Sequence, residues 1–434
     1  MAGGTAVLLT LAASAEDGAV RLTLQGAFAR ALAENPGVAG ARTQVEIAES
    51  LRQQAFSLVL PRVSASGKAT RNDREVSFGS GDDVRVVLPR NDWSYRLTLH
   101  QPIFAGLREK RAYDQSKLGI DQAREGLADT QNLLLLKVGS DYLTVLEAEA
   151  LAKVEERNLE LAKRRLQQAT DFFEVGEVTR VDVLRAEAGI KAAERQLVVA
   201  QAQRAAAAGQ LRISLALDGD IEVAPADAFL PPLPDEKELV RRASAATPAV
   251  RQGELEVRVA ELEVKKRKGA YLPVVSADGG WVEQRSSFPS DTYGYFSVNL
   301  DLPIYQGGEV RARVREAEQQ LHLAQLQLED LRRNLQEQMR TALLDVTTAH
   351  TLLDLSREEV AAAEREYQES FELYRAQEAT ALDLETAELS LADARRRVAS
   401  AEVTVQQAEL RVWYLAGDLK NAVMRPNPEE EIPS

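Results

Sequence analysis

The sequence predicts a mainly α-helical fold that carries a membrane β-barrel, with helices and strands set out as two copies of one unit. Three observations carry this. Aromatic residues make up 5% and charged residues 28% of the 434 positions. With Ala, Leu, Glu, Gln and Arg dominant, that is the profile of long helices or coiled coil. Segments of the first half recur in order in the second. A few short stretches alternate strictly between apolar and polar residues, the mark of two-faced strands.

Composition also excludes function classes. A net charge of -14 disfavours a nucleic-acid backbone as partner. The chain has no cysteine, so it has no disulfide, thiolate metal site or thiol nucleophile. No run reaches the roughly 18 apolar residues of a spanning helix. At the N-terminus, "AVLLTLAASA" ends in Ala13-Ser14-Ala15 and is followed by Glu16 and Asp17. It reads as a secretory signal peptide over residues 1–15.

The duplication is read next. "ALAENPGVAGARTQVEIAESLRQQAFSLVLPRVSAS" from Ala31 answers "ASAATPAVRQGELEVRVAELEVKKRKGAYLPVVSAD" from Ala243, at an offset of 212. "LTLHQPIFAGLREKRA" from Leu97 answers "VNLDLPIYQGGEVRAR" from Val298, now at 201. Pro102 pairs with Pro303, and Gly106 with Gly307. "GEVTRVDVLRAEA" from Gly176 answers "QEATALDLETAEL" from Gln377, again at 201. The second hairpin loop is therefore 11 residues shorter, as surface loops tolerate. The chain divides into a first repeat at 16–217, a Pro-rich acidic linker at 218–238, a second repeat at 239–417 and a tail at 418–434.

Each repeat begins with a short helix, about Pro36–Leu58 in the first. Strands are expected at Arg62–Val76, Val84–Ile103, Val274–Arg285 and Tyr293–Ile304. Trp93, Tyr95, Leu97 and Leu99 share one strand face. Phe296, Val298, Leu300, Leu302 and Ile304 share another, and Trp281 belongs to a weaker apolar face. Strands of about ten residues with aromatics towards their loop ends fit a lipid-facing sheet. A soluble sheet packed on the helices is the alternative, but the helices leave the strands end-on through the Pro-x-x-x-Gly junctions. Four strands cannot close a barrel, and open edges are not tolerated in hydrocarbon. Several chains must therefore share one barrel.

A helix follows each strand pair. From Leu107 to Val175 the first would span roughly 100 Å at 1.5 Å per residue. In the second, Val310, Val314, Ala317, Leu321, Ala324, Leu328, Leu331 and Leu335 step by 4 and 3. The seam resumes, displaced by one residue, at Met339, Ala342, Val346, Ala349, Leu353, Val360 and Tyr367. A medium helix at Arg180–Leu217 completes the first repeat. The same seams fit a solid bundle and a hollow tube; the attached membrane strands favour the tube.

The twofold order, "QPIFAGLREKRA" and "LPIYQGGEVRAR" at the strand-to-helix junctions, and "VGEVTRVDVLRAE" at the first helical turn resemble the TolC-like outer-membrane efflux protein family. The likeness covers nearly the whole mature chain. It implies a homotrimer in the bacterial outer membrane, in contact with its lipid: a 12-stranded barrel continuing into a 12-helix periplasmic α-barrel. It implies the passive exit duct of a tripartite efflux or type I secretion system, with a periplasmic adaptor protein and an inner-membrane pump of RND or ABC type as partners. It places the helical turns at the periplasmic tip. There Val175, Gly176, Glu177, Thr179 and Asp182 would meet the adaptor, and Asp383 and Tyr374 would form the pore constriction and gate. Where the family often carries a second acid this chain has Thr386. Where it carries a gating arginine this chain has Ala379, and Gln377 replaces the turn glycine. Asp383 has two readings of equal weight, a ring of pore carboxylates and a helix N-cap; at Asp182 the cap is favoured.

No catalytic residue, metal or cofactor is expected. His100, His322 and His350 make no ligand spacing, and no phosphate-cradling loop or nucleophile elbow is present. The alternative from another class is a periplasmic coiled-coil adaptor or structural protein. Such an adaptor would have one helical hairpin, where this chain has two.

Overall fold

The computed structural model describes residues 20–81, 84–225, 230–285, 292–376 and 378–424. The signal peptide expected at 1–15, residues 226–229 of the linker, Gln377 and the end of the tail lie outside them. In chain order the elements begin with β1 (Val20–Leu22), α1 (Leu24–Glu34), α2 (Pro36–Ser57), β2 (Arg62–Arg71), β3 (Val76–Phe78), β4 (Arg85–Leu88) and β5 (Asn91–Ala105). Then come α3 (Arg108–Glu174), α4 (Arg180–Leu215), β6 (Ile221–Val223), α5 (Glu236–Ala245) and α6 (Pro248–Lys268). The last are β7 (Val274–Gln284), β8 (Thr292–Asp301), α7 (Glu309–Arg375), α8 (Ala381–Leu415) and α9 (Leu419–Val423). The chain forms two compact units: residues 40–129 with 244–334, and the described parts of 1–39, 130–243 and 335–434.

The first unit holds a four-stranded antiparallel sheet of order β2-β5-β7-β8. Its register sets Leu97 between Ala65 and Trp281, and Leu99 between Val63 and Gly279. Phe296 lies beside Gly279, Val298 beside Ala277 and Leu300 beside Val275. Because side chains alternate along a strand, Trp93, Tyr95, Leu97, Leu99, Trp281, Phe296, Val298 and Leu300 fall on one face. That face is uncovered: Phe296 is 76% exposed and Leu300 70%. The other face is polar. On it His100 Nδ1 lies 2.6 Å from Asp278 Oδ1, Ser64 and Thr98 share a hydrogen bond of 2.7 Å, and Asn299 donates to Asp278.

Three of the four expected strands differ from the sequence reading. The segment Val84–Ile103 is not one strand; it breaks at Pro89 and Arg90 into β4 and β5. β4 pairs with β3 in a separate ribbon, so β2 stops at Arg71 instead of reaching Val76. Proline has no N–H for the ladder, and Pro89 ends the pairing. β5 runs past Pro102 to Ala105 through a register shift between Pro102 and Phe104, a bulge that absorbs the proline. β8 ends at Asp301, before Pro303, so Leu302 and Ile304 fall outside the strand.

Both strand-to-helix junctions turn on paired left-handed residues. Gly106 has φ 63° and is followed by Leu107 at 61°; Gly307 has φ 59° and is followed by Gly308 at 85°. Gly106 is further constrained by space. A Cβ there would lie 2.0 Å from the carbonyl oxygen of Gly269, just after α6. At Gly307 only the backbone angle demands glycine, since nothing lies within 4 Å. Pro248 opens α6 at its first turn, where its missing N–H costs nothing.

The second unit holds the main core. β1 pairs in parallel with β6, and β6 lies within the segment read as a linker. Leu24, Phe28, Leu135, Val138, Leu211, Leu215, Leu410 and Trp413 pack around it. Tyr142 is fully buried there, and its hydroxyl sits 2.9 Å from the Leu22 carbonyl and 2.6 Å from that of Ala224. Burial pushes its phenol up to about 12. A second cluster joins Leu239, Met339, Ala342, Val346, Val412 and Leu415. On α7 the seam residues Met339, Ala342, Val346, Ala349 and Leu353 are buried, as their 3-4 spacing requires.

Candidate functional site at the helical turns

Two helical turns lie in the second unit, and they share one local chemistry. The α3–α4 turn ends α3 on Gly176, at φ 79°. Gly176 N–H donates to Phe173 O at 3.0 Å, and Glu177 N–H to Phe172 O at 2.8 Å. This is the left-handed C-cap that glycine favours. Thr179 then caps α4: its N–H and its hydroxyl both donate to Asp182 Oδ2, at 3.0 and 2.7 Å. The α7–α8 turn repeats the cap. Thr380 N–H and Oγ1 donate to Asp383 Oδ2 at 2.9 and 2.6 Å, and Asp383 N–H returns a bond of 3.3 Å. Both aspartates stand at the positive end of a helix dipole. Hydrogen bonds from the threonine side chains hold both carboxyls below the usual carboxylate range. Thr380, not Asp383, is the N-cap of α8; Asp383 closes the capping box from the third helical position, through one carboxylate oxygen.

The remaining predicted residues separate. Val175, Gly176, Glu177 and Thr179 are exposed around the first turn, and Asp182 is half-buried. Tyr374 is only 4% exposed. Its ring stands 5.8 Å from that of Phe172, tilted by 57°. Burial raises its phenol, with Asp182 adding to the rise and Arg165 opposing it. Among the described hydrogen bonds none joins Tyr374 to Asp383.

One group near these turns was not found from sequence. Arg165 on α3 is 9% exposed; it pairs with Glu388 of α8 at 3.0 Å and reaches Glu385 at 3.6 Å. Gly189 of α4 makes room for the guanidinium, since a Cβ there would lie 2.3 Å from it. Burial lifts the Glu388 carboxyl above its usual range; Arg165 opposes the rise and Glu385 adds to it. Further along the same two helices, buried Glu155 meets Arg396 at 2.7 Å. The signal was present: Arg165 falls between Ala162 and Ala169 at 3-4 spacing, a charge in a seam position.

The pattern of the outer membrane efflux protein family matches residues 27–217 and 239–418. The chain belongs to the outer membrane efflux protein family. Membership in this TolC-like outer-membrane efflux family places it in the bacterial outer membrane. The chain is 24% identical over 431 residues to outer membrane efflux protein BepC of Brucella suis biovar 1, covering 98% of this chain and 90% of that one. It is 24% identical to alkaline protease secretion protein AprF of Pseudomonas aeruginosa, covering 93% and 86%. The fold is shared with the Campylobacter jejuni CmeC outer membrane channel, at a TM-score of 0.77 and 17% identity over 91% of this chain and 86% of that one.

Proposed function

We propose that three copies of this chain form the outer-membrane exit duct of a tripartite efflux or type I secretion system. The observation that carries the proposal is the sheet. Among the described residues, β2 and β8 each pair on one side only. The face bearing Leu97, Leu99, Val298 and Leu300 is apolar and uncovered. Hydrocarbon tolerates no open edge, so β8 of one copy must meet β2 of the next. Three copies give a 12-stranded barrel whose apolar face meets lipid and whose polar face, with His100 and Asp278, lines the lumen. The helices then continue as a 12-helix periplasmic tube. The leader at 1–15, the two repeats at 16–217 and 239–417 and the segments at 218–238 and 418–434 complete the domain plan.

Periplasmic partners follow from the helical turns. Around the first turn Phe173, Val175, Val181 and Leu184 are exposed apolar residues, a surface fit for an adaptor that bridges to an RND or ABC pump. The second turn forms the constriction. There the Asp383 oxygen not used by the cap faces the pore, and symmetry multiplies its charge. A ring of like carboxylates concentrates cations. Tyr374, packed on Phe172, holds this turn against the first hairpin. The duct is a passive conduit and performs no catalysis. Mass measurement in mild detergent tests the assembly: a trimer is expected, and a stable folded monomer refutes the shared barrel.

A further inference from the structure

The start of α3, the end of α6 and the start of α7 carry a concentration of positive charge in an otherwise acidic protein. They supply Arg108, Lys110 and Arg111; Lys265, Lys266, Arg267 and Lys268; and Arg311, Arg313 and Arg315. The three segments are neighbours. Arg111 donates to the Lys265 carbonyl, and Lys268 pairs with Glu318 of α7 at 2.9 Å. Arg108, Lys266, Arg267 and Arg313 line one cavity of about 640 Å³ together with Leu272, Val274, Asp301 and Pro303. Val274 opens β7 and Asp301 closes β8, so the charge gathers at one end of the sheet.

Helix stability does not explain these positions. Lysines at the end of α6 suit its dipole. Cations in the first turns of α3 and α7 oppose theirs, because a helix N-terminus favours anions. Lys110, Lys265, Arg311 and Arg315 make no ion pair among the described residues. Beside them Ile304 and Tyr305 stand 92% and 86% exposed. Apolar and aromatic side chains next to unpaired cations, where membrane strands become helices, suit the headgroup boundary of a bilayer.

We propose that this basic collar binds anionic glycerophospholipid of the periplasmic leaflet, its cations on the phosphates and Ile304 and Tyr305 among the adjoining acyl chains. The proposal rests on the outer-membrane reading. It predicts that the position of the assembly in the membrane depends on headgroup charge.

The test reconstitutes the full assembly into phosphatidylcholine vesicles with and without phosphatidylglycerol, then counts retained lipids by native mass spectrometry. Wild type should retain phosphatidylglycerol over phosphatidylcholine. Lys265→Gln with Arg311→Gln should reduce that preference about thirtyfold, given the usual worth of two cations at an anionic surface. Lys191→Gln with Arg195→Gln, two exposed cations on α4, should leave it unchanged. Normal insertion without a preference for phosphatidylglycerol overturns this inference alone. A preference erased by inorganic phosphate assigns the collar to a free anion and overturns it too. So does a collar variant that alters ion selectivity but not lipid retention, since the cations would then line the pore. Failure to insert even into plain phosphatidylcholine overturns this inference and the membrane reading together.

Discussion

Replacing Arg165 with Met removes the partner of Glu388 while keeping most of the side-chain volume. Glu388 is then a buried carboxylate with Glu385 as its neighbour and no cation in contact. Breaking a buried pair from one side costs about 3–5 kcal/mol. The Glu388 side chain is 13% and that of Glu385 34% exposed, so water relieves part of this and the lower end, about 3 kcal/mol, applies. In a unit of this size each kcal/mol moves the midpoint about 2–4 °C, giving a loss of about 6–12 °C. The dependence on pH has a definite sign. Burial already raises the Glu388 carboxyl in the folded state, against Arg165. Without Arg165 it rises further. The folded variant then holds a proton that the unfolded chain has released, so its stability falls as pH rises from the unfolded value through the folded one. The defect should be small in mild acid and complete at neutral pH. Adding Glu388→Gln should recover much of it. Thermal melting followed by far-ultraviolet circular dichroism, in detergent at both pH values, makes the measurement. A loss that is equal at both pH values, or untouched by Glu388→Gln, refutes the buried-pair argument.

Leu99→Arg or Leu300→Arg should cost about 2–4 kcal/mol in barrel stability, the penalty for a cation at mid-bilayer, while Thr98→Arg should be tolerated better; urea titration in lipid vesicles compares them. Gly106→Ala should lower the yield of folded trimer far more than Gly307→Ala, because only the first drives a Cβ into the Gly269 carbonyl; heat-modifiable migration on gels reports the yield. Asp383→Ala with Tyr374→Phe should raise single-channel conductance in planar bilayers and remove block by multivalent cations, whereas Asp182→Ala should leave both unchanged. The Asp383 carboxyl is held low by Thr380. Its cap is therefore present at neutral pH and is lost only as pH falls through the depressed folded value; amide exchange around Thr380 in acid should show the release.

Periodic features were legible in the sequence. The seam of α7 could be traced residue by residue because burial recurs along a helix at a fixed interval. The faces of β5 and β8 followed from alternation alone. Helix ends were close as well: α2 and α4 stop within two residues of their expected bounds, since Pro36 and Thr179 mark their starts. What escaped depends on chain segments that meet only in three dimensions. β3 and β4 pair with each other because Pro89 interrupts the ladder, and alternation continues across such a break unnoticed. β6 looked like linker because three residues have no period; only the presence of β1 makes them a strand. Arg165 is one of many charged helix positions in the sequence, and only the packing of α8 places Glu388 beside it. Gly189 carries no sequence signal of its own, yet it is the vacancy that admits the guanidinium.

The β1–β6 pair has a consequence for how such a chain matures. β1 is the first described element, yet its partner begins only at Ile221. The core around it also takes in Leu419 and Val423, near the last described residue. A polypeptide delivered N-terminus first therefore holds Leu22, Leu24 and Phe28 without their packing neighbours for most of its passage. Long-range closure of this kind is slow, because loop entropy is lost before contacts return it. The hairpins of β7–β8 and α7–α8, by contrast, draw on neighbours in sequence and can form early. The unit that includes the helical turns completes its core only after α9 has arrived, so an interrupted or truncated chain leaves that core open, and one that stops before Ala224 also leaves Tyr142 without one of its carbonyl partners.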